Sequence, residues 1–331
     1  MLSLQSAASG SPPLNGANDR ERAIVSTLLY YDLFSFPLSA AETVRYLHCI
    51  GADAHLSPPD LLSASAWWSS RGGYWFLRGR EEIISQREAV ARHSNPKLAS
   101  ARRWACWLQW LPGVRFIGVT GSLAMRGAVA EDDIDLLVIT ASGQLWLTRA
   151  LVLGALWVMG VKRSDDSRAE HPDQACANVF LSEADLTLPD HNLFIAHEVC
   201  QMLPLAGPSA YERFLEANEW VREYLPQWEP AAPHWEDRRA LRLIQRVLEI
   251  VAHPLRDRLE RAVAQRQMER IRRKHARGHN PQVVITPTQL RFNPQDHGRE
   301  ILRAYQARWN ALDGGELRVG GQESGLVGQG R

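Results

Sequence analysis

The chain lacks the marks of a zinc protein, a disulfide-stapled protein and a membrane protein. Its four cysteines, Cys49, Cys106, Cys176 and Cys200, are scattered, and none forms a CxxC pair. That spacing argues against a zinc framework and a disulfide scaffold, and it suits a reducing, cytoplasmic compartment. Excess charge of one sign is also missing. The net charge is +1, so no global field draws the molecule to a polyanion. The first residues have neither a basic start nor a long apolar core, and residues 1–19 read as a disordered tail rather than a signal peptide. The most apolar run, LWLTRALVLGALWVMGV over 145–161, contains Arg149 and is shorter than the roughly 20 residues a membrane span needs. It is expected to be a helix buried behind a sheet, and no membrane partner is expected. What remains is a chain of 331 residues, enough for more than one domain.

The most informative stretch is VRFIGVTGSLAMRGAVAEDDIDLLVIT, over 114–140. An apolar run ends in Gly121-Ser122, a short turn and an acidic loop follow, and a second apolar run opens with Asp133-Ile134-Asp135. The i, i+2 spacing puts both aspartates on one face of a strand. Adjacent carboxylates repel unless a cation neutralises them, and hard oxygen ligands of this kind suit Mg2+, with Mn2+ as an alternative. Gly121 permits close backbone approach to a ligand, and Ser122 is placed to cap a helix starting at Leu123. A helix start there would favour phosphate. A phosphate cradle facing a metal-binding pair implies a metal-bound nucleoside triphosphate and phosphoryl or nucleotidyl transfer.

These residues resemble the signature of the nucleotidyltransferase superfamily typified by DNA polymerase beta. The matching residues are Thr120-Gly121-Ser122, with Thr120 where an apolar residue is usual, and Asp133-Ile134-Asp135-Leu136. The resemblance implies an enzyme in which Asp133 and Asp135 hold the metal and Gly121 and Ser122 hold the outer phosphates. A nucleoside monophosphate would pass to an acceptor hydroxyl on a small molecule, a protein or a nucleic acid. It also implies a third carboxylate on a later strand. The next strand-like run is 175–181, and position 178 in it is Asn178, an amide with no charge. Asp173, Glu183 and Asp185 are nearby substitutes. Arg149 could reach a phosphate or pair with an acid, and Lys162 and Arg163 could reach a triphosphate or form a solvated helix end.

The expected class is α+β: a nucleotidyltransferase core over 112–190, with a mixed sheet packed by helices, and a mainly helical region over 191–312. Residues 313–331, rich in glycine, read as a second disordered tail. Upstream, 20–80 shows a helical run at 21–33 and a second helix that Ser39 would cap with Glu42 in a capping box. A third helix would open at Ser57-Pro58-Pro59 and end before Gly72-Gly73, ahead of a small hairpin at 74–77 closed at Gly79. The element order resembles a winged helix-turn-helix. DNA is then a candidate partner, with Arg71, Arg78 and Arg80 the available cations, although a packing or protein-docking module fits the poor recognition helix better. Residues 81–111 read as a connecting helix whose cationic face carries Arg87, Arg92, Lys97, Arg102 and Arg103. The basic stretch 270–277 could bind an acidic substrate or RNA, or end a solvated helix. The rival to an enzyme is a DNA-binding regulatory protein with a nucleotide-sensing, degenerate transferase domain.

Overall fold

The computed structural model describes residues 14, 16–50, 56–62, 65–163, 172–230, 256–273, 283–292 and 297–313. The fold is α+β, with one three-stranded antiparallel sheet and one six-stranded mixed sheet. The N-terminal layer runs through α1 (Asp19–Asp32), β1 (Leu38–Ser39), α2 (Ala40–Arg45), a 3-10 turn (Pro58–Leu62) and the hairpin β2 (Trp68–Arg71) and β3 (Tyr74–Leu77). A long helix, α3 (Ile83–Leu108), leads to β4 (Val114–Val119) and β5 (Ile134–Thr140). Then come α4 (Leu145–Val158), β6 (Ala175–Ser182), α5 (Leu193–Gln201), β7 (Leu203–Ala206) and α6 (Pro208–Ala217). Residues 256–273 are helical (α7), followed by β8 (Val283–Ile285), β9 (Gln289–Phe292) and α8 (His297–Asp313).

Two helix starts follow from local chemistry. Asn18 and Ser39 each form a complete capping box, with Glu21 and Glu42 respectively, satisfying donors that the first helical turn leaves open. The third helix of the N-terminal layer differs from its expectation. It is a five-residue 3-10 turn, and Trp68–Arg71 pairs with Tyr74–Leu77 as a strand instead. The hairpin turn therefore falls at Gly72-Gly73, both at positive φ, and not at Gly79. Trp68 and Trp75 drive that choice, since alternation in the hairpin buries both. Arg78 donates to Ser65 O at 2.6 Å, and Arg80 pairs with the buried Asp32 at 2.7 Å, so both wing arginines have internal partners.

The large sheet has the order β7-β4-β5-β6-β9-β8. Among the described strands β5 and β6 are parallel neighbours, joined through α4, and the other strand pairs of this sheet are antiparallel. The region expected to be mainly helical thus supplies three of the six strands, β7, β8 and β9. Along β5, Leu136 and Val138 face a core shared with α3, α4 and α7. Leu137 and Ile139 face a second core built from α1, α5, α6, α8 and the small sheet. Leu14 belongs to that second core and donates its N–H to Leu312 O at 2.9 Å, so packing begins inside the stretch expected to be a tail. The rest of that stretch before Leu14, the tail after Asp313 and residues 274–277 of the basic run lie outside the described residues. Among the described residues no helix is long and apolar enough to cross a membrane.

Candidate active site

The two motif halves meet on neighbouring strands. Gly121 follows β4, Asp135 lies in β5, and Thr120 N donates to Asp135 O at 3.1 Å. Gly121 has φ 68° and ψ −158°, a conformation essentially restricted to glycine. A Cβ at Gly121 would stand 3.0 Å from Asp135 Oδ2. The dihedrals therefore favour glycine, and the nearby carboxylate would have to give by a few tenths of an ångström for any side chain there. Ser122 does not cap a helix as expected. It starts a four-residue 3-10 turn, and its Oγ donates to Asp132 Oδ2 at 3.0 Å. Asp132 Oδ2 also accepts Val129 N at 3.0 Å, so this carboxylate fastens the acidic loop to the Gly-Ser turn.

The loop is fastened from behind as well. Lys97 of α3, expected on a solvated cationic face, is instead 2% exposed. It donates to Ala130 O at 3.0 Å and Asp132 O at 2.6 Å, and pairs with Asp173 at 2.9 Å. A buried ammonium needs such partners to offset its lost hydration. Ser94 Oγ, one helical turn earlier, accepts Ala128 N at 3.1 Å.

Strand β6 brings in the remaining groups. Its register with β5 shifts between Leu136 and Leu137, where an extra residue enters β6. Ala177 and Phe180 then both face the α3/α4 core, while Cys176 and Asn178 turn to the side of Asp135. Asn178 Nδ2 donates to Asp135 Oδ1 at 2.6 Å. Asp133, Asp135 and Cys176 offer ligand atoms that all lie within 4.8 Å of one another. Arg163, just beyond α4, pairs with Asp133 Oδ2 at 2.7 Å and donates to Cys176 Sγ at 3.4 Å.

A fourth acid, which sequence reasoning missed, is Glu198 of α5. Its half-buried carboxylate takes a backbone hydrogen bond from Gly121. Glu198 is the one carboxylate on a helix otherwise made of apolar residues, His197 and Gln201. An unexplained charge on a core-facing helix was the available signal. Burial pushes the Glu198 carboxyl up to about 7. Burial, then the charges of Asp133 and Glu198, push Asp135 up to about 7 as well. Burial and the same two aspartates push the Cys176 thiol up to about 12, so it is a neutral group here and not a thiolate.

Of the residues expected at the site, Gly121, Ser122, Asp133, Asp135 and Asn178 come together. Arg149 does not. It lies over the rings of Phe180 and Phe292, at 5.8 and 5.6 Å, and donates to Gln267 of α7, on the opposite side of the sheet from Asp135. Glu183 and Asp185 also have other partners: Arg115 and Arg213 for the first, Thr288 and Gln289 for the second. The residues present fit a hard divalent cation. Asn178 Oδ1 is a buried oxygen with no hydrogen-bond partner, Asp133 Oδ2 is met by the Arg163 ion pair alone, and with Asp135 they form an oxygen donor set suited to Mg2+ or Mn2+. No family model, no curated protein and no solved structure matches the chain.

Proposed function

We propose that the chain is a metal-dependent, cytoplasmic nucleotidyltransferase acting on a nucleoside triphosphate and an acceptor hydroxyl. The observation that carries this reading is the contact between the motif halves, where a Cβ at Gly121 would stand only 3.0 Å from Asp135 Oδ2. Asp133, Asp135 and the Asn178 carbonyl would hold Mg2+ or Mn2+, which would neutralise charge on the phosphates and leaving group when bound. The Gly121-Ser122 turn would face the outer phosphates. The acceptor oxygen would form a bond to the α-phosphorus as the bond to pyrophosphate breaks. Asn178 cannot take the acceptor proton, since an amide is no base at neutral pH. Glu198, which accepts the Gly121 N–H and lies close enough to Asp135 to raise its carboxyl, is our candidate to stand in for the missing third acid.

A specific observation favours the rival reading of a nucleotide sensor: Asn178 stands where the resemblance implies an acid. The two readings separate in one experiment. The full chain is incubated with triphosphates labelled at the α-phosphate, with Mg2+ or Mn2+, and with a panel of small-molecule, protein and nucleic-acid acceptors. The expected result is pyrophosphate release and label transfer that Asp133→Ala and Asp135→Ala abolish. Metal-dependent binding without pyrophosphate supports the sensor. Triphosphate affinity that ignores both metal and these substitutions overturns the site itself.

A further inference from the structure

The carboxylate pair already holds a cation of its own. Arg163 Nη1 is 2.7 Å from Asp133 Oδ2, and the same nitrogen donates to Cys176 Sγ at 3.4 Å. The guanidinium thus stands against two of the three groups whose ligand atoms cluster within 4.8 Å. Its contact with Asp133 is a close ion pair through Oδ2.

The backbone and side chain of Arg163 are anchored differently. Its N–H donates to Ala175 O at 3.0 Å, and Lys162 bridges to the same residue, so the main chain is tied to the start of β6. The side chain is 35% exposed. A divalent ion bound by Asp133 would repel the guanidinium and take its oxygen. A triphosphate entering with that ion would bring the nearest new anionic oxygens, and guanidinium pairs well with phosphate.

We infer that Arg163 is an exchangeable counter-ion, pairing with Asp133 in the absence of metal and moving to the triphosphate when metal and nucleotide bind. This rests on the nucleotidyltransferase reading and goes beyond it. It gives one residue two roles with opposite effects on two ligands: Arg163 competes with the metal and assists the nucleotide. A residue that merely props up the fold would weaken both.

The test measures each ligand separately on the full chain. Mn2+ binding without nucleotide is followed by the loss of free-ion electron paramagnetic resonance signal, and binding of a non-hydrolysable ATP analogue is followed by calorimetry at saturating Mn2+. Arg163→Gln is expected to tighten Mn2+ alone by about three- to tenfold, as a competing charge is removed. It is expected to weaken the analogue by about tenfold. Arg163→Lys keeps the charge and should stay near the wild type for Mn2+. Weakening of both ligands in Arg163→Gln makes Arg163 structural and overturns the inference, as does no change in either. Tighter Mn2+ with unchanged analogue binding overturns the transfer to phosphate. Mn2+ that binds the wild type and is lost in Asp133→Ala shows that the metal site survives whatever Arg163→Gln does. No Mn2+ binding in any variant removes both the inference and the reading beneath it.

Discussion

Asn178 donates its amide to Asp135 Oδ1 at 2.6 Å, across the parallel pair β5–β6 of the large sheet. The residue that stands where an acid was expected thus supports the metal-site carboxylate as a donor, while its own carbonyl oxygen has no partner. Asn178→Asp would exchange this donor for a second carboxylate. Without metal, the lost hydrogen bond and the new repulsion should lower stability by about 1–3 kcal/mol. With Mn2+, the added charge should recover that loss and tighten the ion. Thermal denaturation with and without Mn2+ checks this, and an Asn178→Asp protein with no metal-dependent gain would remove position 178 from the ligand set.

Lys97 is expected to matter to the site without touching a ligand. Its ammonium ties down Ala130 O and Asp132 O, and Asp132 in turn holds Ser122. Lys97→Met keeps the apolar stem but leaves these carbonyls without a donor, at a cost of about 1–3 kcal/mol. Urea denaturation should show that loss, and triphosphate affinity should fall with it. Full affinity in a destabilised variant would mean that the loop is held by other contacts.

At the Gly-Ser turn, the two residues should fail in different ways. Gly121→Ala forces a side chain into a glycine-only conformation against Asp135 Oδ2, and should cost about 1–3 kcal/mol in stability as well as binding. Ser122→Ala loses only the contact to Asp132 and any contact to phosphate. It should leave the melting temperature within a few degrees, with the triphosphate weakened more than the monophosphate. Equal weakening of both nucleotides would place Ser122 outside the outer-phosphate site.

The metal-free protein should show opposed pH effects. The Asp135 and Glu198 carboxyls, each raised to about 7, bind protons more tightly in the native state than in the unfolded chain. Their stabilisation is present at acid pH and is lost as pH rises through about 7. His48 and His197 do the reverse. They face each other Nε2 to Nε2 at 3.0 Å, and burial lowers both, His48 to about 3. Their stabilisation is full above the unfolded value of 6.5 and is lost as pH falls. Melting temperatures of Asp135→Asn and the wild type should therefore diverge in favour of the variant as pH rises from 4 to 7. A difference constant across that range would show that Asp135 does not titrate there.

Features that depend on nearby residues were legible in the sequence. The capping box of Ser39 and Glu42 closes within one helical turn. The Gly121-Ser122 and Asp133–Asp135 spacing allows only a short connection, so two apolar runs on either side must become neighbouring strands, and they do. The i, i+2 spacing was expected to put both aspartates on one strand face; Asp135 lies in β5 and Asp133 just before it, with their ligand atoms within 4.8 Å.

Tertiary structure decided everything that required a distant partner. Trp68 became a strand residue because Leu77 and the N-terminal core were available to it. Lys97 was drawn inside because carbonyls of the acidic loop, more than thirty residues away in sequence, needed a donor. Arg149 went to two aromatic rings across the sheet, while Arg163 reached Asp133. Glu198 joined the site only because α5 packs against the Gly121 turn. The sequence by itself determined which two carboxylates come together at the start of β5. Which cation and which further acid meet them depended on how the helices close over the sheet, since a charged side chain settles wherever the fold brings it a partner that offsets its lost hydration.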